Sequence, residues 1–252
     1  MSSPPLFAVA GSLLGRPVTA DLLDRVCAQL TDRLPVHGIA LTLTTSPAAR
    51  AAAAPAATGG AGTVVVAGAS DRTAWWLEMA QLTAGVGPGS QATTSGRTVA
   101  VGDFPAAVLY QWPSLGEQLS EAPIGAVAAV PLRAGSRTIG SLDAYRRDRH
   151  RWSPAELRDL ADAARVLTLS VTAASVRDLN DDSSSDGGPS SGDLLSPGQT
   201  AVAQATGMIM AALTLTSDDA VSRLRASAFQ QGRLITEVAA DITTGRLPPA
   251  LL

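Results

Sequence analysis

Few side chains in this 252-residue chain have the type and spacing for covalent chemistry. The single cysteine, Cys27, cannot close an internal disulfide. Two histidines, His37 and His150, are too few for a zinc site or a Ser-His-acid triad. A lone histidine could ligate a haem, but such a ring is more often structural or solvated. No paired carboxylates stand out at a catalytic spacing. Binding is the chemistry that remains. The run Arg146-Arg147-Asp148-Arg149-His150-Arg151 could touch a polyanion, yet such runs are usually solvated loops, here offset by Asp148 and Asp159. The net charge of -3 has the wrong sign for a chain whose main business is polyanion binding. All 19 basic residues are arginine, which with the abundant alanine suggests a G- and C-rich coding bias and an actinobacterium-like source.

The length favours two domains, and 46% hydrophobic residues suffice for packed cores. No run of about 18 uncharged apolar residues marks a membrane span. Met1 to Leu14 has no basic residue before Arg16, so it reads as part of the first helix and not as a secretory signal. A lone cysteine fits a reducing cytoplasm.

Asp21 to Leu34 carries Leu22, Leu23, Val26, Leu30 and Leu34 at helical spacing, and places Cys27 on that helix. Ile39, Leu41 and Leu43 alternate as in a strand from Gly38 to Thr44. Ser46 to Gly62 reads as a loose connection. Thr63 to Ala67 is a buried-type strand, Thr73 to Leu82 a helix and Thr98 to Gly102 a short strand. Ala126 to Leu132 and Ile139 to Tyr145 form a hairpin about Ala134-Gly135-Ser136. Ser153-Pro154-Ala155-Glu156 has the N-cap serine, first-turn proline and glutamate of a capping box opening a long helix. The expected fold is α+β: an antiparallel sheet of five or six strands, with helices from its two ends on one face. Trp75 and Trp76 share one helix, so one must turn from the core as a dimer face or a ligand lid.

After Pro197 the pattern becomes helical. Val202, Ala205, Ile209 and Leu213 stripe one helix, and a turn follows at Thr214 to Thr216. Asp218 and Asp219 open a second helix, where carboxylates suit the positive end of the dipole. Ala220, Val221, Leu224 and Ala228 stripe that helix. Beyond Gly232, Leu234, Val238, Ala239 and Ile242 stripe a third. A bundle this small presents a surface and holds no active-site cavity. Its arginines at 223, 225, 233 and 246 meet Asp218, Asp219, Glu237 and Asp241, so a polyanion site must be a local cluster.

The run Gln204-Ala205-Thr206-Gly207-Met208-Ile209-Met210, with Ala220, Leu224-Arg225, Ala228-Phe229 and Leu234 to Val238-Ala239, resembles the ANTAR domain. That family is a three-helix module binding paired RNA hairpins as a transcription antiterminator. The resemblance implies RNA contacts at Gln204, Ala205, Thr206, Gly207, Met210, Arg225 and Arg233, the arginines on phosphate. Small residues at 206 and 207 would let an unpaired loop base approach the helix and offer its edge to Gln204. The bland alternative makes Gly207 a packing residue and Arg225 a solvated charge. Relatives commonly carry lysine where this chain has Thr206, so one phosphate-binding charge is missing. Met208 is expected in the core and Met210 near the RNA surface.

Residues 4–177 resemble a GAF domain, a sensor of small ligands, light or redox state. The resemblance rests on Ala69-Ser70-Asp71, Leu77-Glu78, Gly87-Pro88, Ser95-Gly96-Arg97-Thr98-Val99, Trp112-Pro113, Val127 to Arg133, Ile139 to Leu142 and Tyr145-Arg146-Arg147. It implies a ligand pocket at Trp112, Asp103 and Tyr145, with Trp112 either closing the pocket or simply packing. Relatives often carry a cysteine after Gly-Pro where this chain has Gly89, and no cofactor or metal is expected. Residues 178–196, acidic and rich in serine and glycine, read as a flexible linker that breaks any continuous signalling helix. Residues 197–252 form the ANTAR-like module. The combined expectation is a cytoplasmic, homodimeric, non-enzymatic regulator, with an unidentified small-molecule or protein signal at the sensor and a two-hairpin leader RNA at the bundle. The alternative is an interaction module that has lost RNA.

Overall fold

The computed structural model describes residues 18–45, 63–119, 122–181 and 197–252. The segment Met1 to Leu14, the connection Ser46 to Gly62 and linker residues 182–196 lie outside these. Helix α1 (Ala20–Thr31) starts where Thr19 Oγ1 accepts from Leu22 N–H and buries Leu22, Leu23, Val26, Cys27 and Leu30. It is shorter than the pattern to Leu34, whose side chain packs against the core from beyond the helix. Strands β1 (Gly38–Thr45), β2 (Thr63–Ala69), β3 (Val99–Val101), β4 (Ala126–Ala134) and β5 (Arg137–Arg146) form one antiparallel sheet in the order β2-β1-β5-β4-β3.

The alternation in β1 sorts the two faces of the sheet. Ile39, Leu41 and Leu43 join Leu142, Ala144, Ala128 and Val130 under α1 and the long helix α6 (Pro154–Asp181). Both terminal helices thus cover one face, as expected. The capping box at the start of α6 is formed: Ser153 N–H donates to Glu156 Oε2 (2.7 Å) and Glu156 N–H to Ser153 Oγ (3.2 Å). Helix α6 continues to Asp181, so the first four residues of the expected linker, 178–181, are helical.

The opposite face carries Ala40, Val127 and Tyr145 beneath α2 (Arg72–Ala84), α4 (Phe104–Gln111) and α5 (Pro113–Leu119). Helix α3 (Pro88–Ser95) lies against β4 and β5. Sequence reasoning missed α3, α4 and α5. Gly140, at φ 152°, brings its backbone so close to the Thr42 carbonyl that no Cβ would fit.

Helices α7 (Pro197–Leu213), α8 (Ser217–Gln230) and α9 (Ile235–Thr243) form the bundle around Ala205, Ile209, Leu224, Val238 and Ile242. A 3-10 turn, Pro249–Leu251, follows. The bundle packs on the sensor, and its core is continuous with Val66 of β2 and Met79 of α2. No single helix among the described residues is long and apolar enough to cross a membrane.

Candidate functional site

The seam between bundle and sensor is built from side-chain to backbone bonds over an apolar floor. Gln199 Nε2 donates to the Val66 carbonyl (3.1 Å), Arg225 Nε to the Leu82 carbonyl (2.9 Å), and Ile235 N–H to Thr83 Oγ1 (3.2 Å). Trp75 packs into the bundle cluster, while Trp76 spans both clusters and donates its indole N–H to the Gln118 carbonyl (3.0 Å). The tryptophan turned from the sensor core is therefore covered by this chain's own bundle.

A cavity of about 360 Å³ opens along this seam. Thr42, Glu78, Gln81 and Gly89 line it from the sensor, and Asp218, Ser222 and Arg225 from α8. Hydroxyls of Ser90, Thr93, Thr94 and Ser217 complete much of the wall. Beneath it lies a buried carboxyl pair, Glu78 on α2 and Asp143 on β5, each 2% exposed. The Gln81 amide orients the pair. Its oxygen accepts from Gly89 N–H (2.8 Å), so its nitrogen faces Glu78 Oε1 (2.9 Å) and Asp143 Oδ2 (3.1 Å). Glu78 and Ser141 also hydrogen-bond the Asp143 carboxyl.

Burial pushes the Glu78 carboxyl well above its ordinary value near 4.5, and the neighbouring Asp143 pushes it further. Burial raises Asp143 too, against the hydrogen bonds from its neighbours. Burial and mutual repulsion of two neighbouring carboxyls favour the form in which a proton stays on the pair. Sequence reasoning did not bring this pair together, because its members lie on different elements.

The consequence for stability has a definite sign. A carboxyl raised in the folded state binds its proton more tightly there than in the unfolded chain. Its stabilising share is complete below the unfolded value and lost as pH rises through the folded one. Glu78→Gln, which keeps shape and hydrogen bonds, should raise the melting temperature at pH 8 relative to the parent by a few degrees or more, on the order of 2–4 °C per kcal/mol. The difference should shrink at pH 5, as paired thermal melts will show.

The sequence-derived pocket residues are not assembled as expected. Trp112 and Tyr145 share the second core cluster, where Tyr145 Oη donates to Asp71 Oδ2 (2.8 Å) and Trp112 is packed in. Asp103 caps α4, accepting from Ala106 N–H (3.3 Å), and pairs with Arg149 (3.2 Å). None of the three lines the seam cavity. Among the arginines of the basic run, Arg146 bonds the Pro35 carbonyl (2.7 Å) and pairs with Asp148 and Glu156. His150 bonds Glu156 (2.8 Å). The run is therefore offset in part, at Arg146, Arg149 and His150, by Asp148 as expected and by Asp103 and Glu156 in place of Asp159. Cys27 is fully buried under the sheet's other face, and burial raises its thiol pKa. Among the described residues no group of three or more His, Cys, Asp or Glu could hold a metal ion.

On the bundle, Gln204 and Gly207 are exposed on α7, whereas Ala205 is fully buried and Thr206 nearly so. Thr206 Oγ1 donates to the Val202 carbonyl (2.7 Å). A lysine at 206 would have to carry its ammonium out along the helix surface. Met208 is the exposed methionine and Met210 the one packed on the core, the reverse of the expectation. Helical phase explains this, since position 210 falls nearer than 208 to the centre of the inward arc of Val202, Ala205, Thr206, Ile209 and Leu213. Arg225 is turned into the seam and is neither a solvated charge nor a free phosphate ligand. Arg233 remains partly exposed but pairs with Asp241 (2.8 Å) and Glu237 (3.8 Å).

With this arrangement in view, the chain belongs to the GAF domain family, whose model matches residues 19–171. An ANTAR domain model matches residues 198–242, so a sensor domain precedes an ANTAR domain. Both are regulatory domains. Similar solved structures include the GAF domain from Acinetobacter phosphoenolpyruvate-protein phosphotransferase (12% identity, 68% of this chain and 92% of that one, TM-score 0.46). Another is the free methionine-R-sulfoxide reductase from Neisseria meningitidis in complex with its substrate (18%, 68% and 88%, TM-score 0.47). A third is the GAF domain from a Coxiella burnetii phosphoenolpyruvate-protein phosphotransferase (16%, 68% and 93%, TM-score 0.49). No curated protein matches the chain in sequence.

Proposed function

We propose that the chain is a cytoplasmic transcription antitermination regulator in which the GAF domain receives a signal and the ANTAR bundle binds a two-hairpin leader RNA. One observation carries this reading. Gln204 and Gly207, within the motif that resembles RNA-binding relatives, remain exposed while the bundle is docked, and Ala205, Thr206 and Ile209 anchor the same helix to its core. Ala205, Thr206 and Met210 then serve recognition by holding this strip outward. Arg233 is the nearest phosphate candidate, whereas Arg225 belongs to the seam. The proposal includes a homodimer, for which the exposed Leu109 and Tyr110 on α4 or Leu169 on α6 offer apolar surface.

The test is a titration of a two-hairpin RNA with the full chain and with Gln204→Ala. Loss of a base-edge contact should weaken binding by about 1–3 kcal/mol, roughly 5- to 150-fold. The melting temperature should hold, because Gln204 is exposed on α7.

A second reading, an interaction module without RNA, is favoured by the engagement of both candidate arginines within the chain. Equal binding by the parent and Gln204→Ala, or no binding by either, would support it.

A further inference from the structure

The four arginines of the bundle are all engaged within the chain, but on unequal terms. Arg225 lies in the seam, and Arg233 and Arg246 meet the Asp241 carboxylate (2.8 and 2.6 Å). Arg223, exposed on α8, donates through Nη1 to the main-chain oxygen of Leu252 (2.7 Å). The carboxylate within its reach by helical spacing, Asp219, is turned to the hydroxyl of Thr216 (2.7 Å). Leu252 thus engages Arg223 through one N–H, whereas a phosphate takes the guanidinium fork through two, the stronger arrangement.

Positions 223 and 225 are two apart on a helix, about 200° around its axis. Arg225 meets the sensor, and Arg223 therefore faces the opposite flank, where residues 248–252 run. Leu247 is the hinge of this segment: its N–H bonds the Asp241 carbonyl (3.0 Å) and its side chain packs on the bundle core. Beyond it the 3-10 turn Pro249–Leu251 lies on α7, the helix that carries Gln204 and Gly207, and Leu252 packs at the edge of the core. The hold is light. Leu251 is 75% exposed, and the amides of Leu251 and Leu252 bond to the Pro248 (3.0 Å) and Pro249 (3.4 Å) carbonyls inside the segment itself. The segment lies beyond the ANTAR region, which ends at residue 242.

We propose that Arg223 is a phosphate-contacting residue of the RNA surface, and that residues 248–252 are a strap that withholds it until RNA displaces them. The strap closes over α7 and Arg223 together, so one movement uncovers both. Because RNA takes the open form, the closed strap lowers the apparent affinity in proportion to the fraction of open chains. The inference rests on the RNA reading of the bundle and names a regulation of that surface.

The experiment is a salt-dependent titration of a two-hairpin RNA with the full chain, with a chain shortened to end at Leu247, and with the shortened chain carrying Arg223→Ala. The shortened chain should bind at least about threefold tighter than the full chain, with the same slope of log K against log salt. Arg223→Ala should then weaken binding and make the slope shallower by about one unit. A second measurement does not depend on how well the shortened chain folds. In the full chain saturated with RNA, the amides of Leu251 and Leu252 should exchange faster than in the free protein. Tight binding by the full chain that shortening leaves unchanged overturns the strap and spares the RNA reading. An unaltered slope in Arg223→Ala, or slower exchange at Leu251 and Leu252 with RNA, overturns it too. Absence of RNA binding by both the full and the shortened chain refutes the strap and the RNA reading together.

Discussion

A cysteine at position 89 should lower the stability of the sensor domain. A Cβ at Gly89 would overlap the Asp143 carboxylate. An exposed carboxylate could swing away at little cost, but this one is buried and held by Gln81, with Glu78 beside it. Gly89→Cys is therefore expected to cost about 3 kcal/mol, at the upper end for overpacking a well-filled interior. That corresponds to a fall in melting temperature of roughly 6–12 °C. Adding Asp143→Ala should recover most of the loss, with a coupling of about 1–3 kcal/mol in the double-mutant cycle. Additive losses would show that the glycine is required by the backbone and not by the carboxylate.

The second large effect is expected at Arg225. Its Nε–H to Leu82 carbonyl bond joins the two domains, and its stem lies against Gly85. Arg225→Ala removes a charged donor from a partly buried carbonyl, a change of about 1.5–3 kcal/mol. Thermal melts should show a fall of roughly 3–12 °C. Faster exchange of the Ile235 amide should accompany it, since the Ile235 N–H to Thr83 Oγ1 bond shares the seam. A solvated arginine would leave both unchanged.

The contrast between these sites and the rest of the chain shows what could be read from sequence. The stripe Leu22-Leu23-Val26-Leu30, the alternation Ile39-Leu41-Leu43 and the capping box Ser153-Glu156 each state their structure locally, and each formed. The region 88–119 states nothing so clear. Pro88-Gly89-Ser90-Gln91 reads as a turn, and α4 turns Leu109 and Tyr110 to solvent, so the apolar period that marks a buried helix is blurred. Non-local features were the least legible. Glu78 is legible as a residue of the Thr73 to Leu82 helix, but its partner is not until β5 brings Asp143 beneath it. The docking of the bundle was hidden by a linker whose composition suggests a loose tether. Trp75 was the one hint, an apolar side chain turned from its own core, and the third option, cover by the chain's own bundle, was not among the readings weighed. Met208 and Met210 exchanged places because two methionines two residues apart on a helix cannot both face inward.

The central claim is that the docked bundle reads RNA through its exposed α7 strip while Arg225 serves the seam. Salt-dependent titration of a two-hairpin RNA with the full chain and with Arg225→Ala tests it most directly, because each phosphate contact adds about one unit to the slope of log K against log salt. Saturable binding with the same slope in both proteins is the predicted result. Absence of binding by the parent chain, or a slope shallower by about one unit in Arg225→Ala, would contradict it.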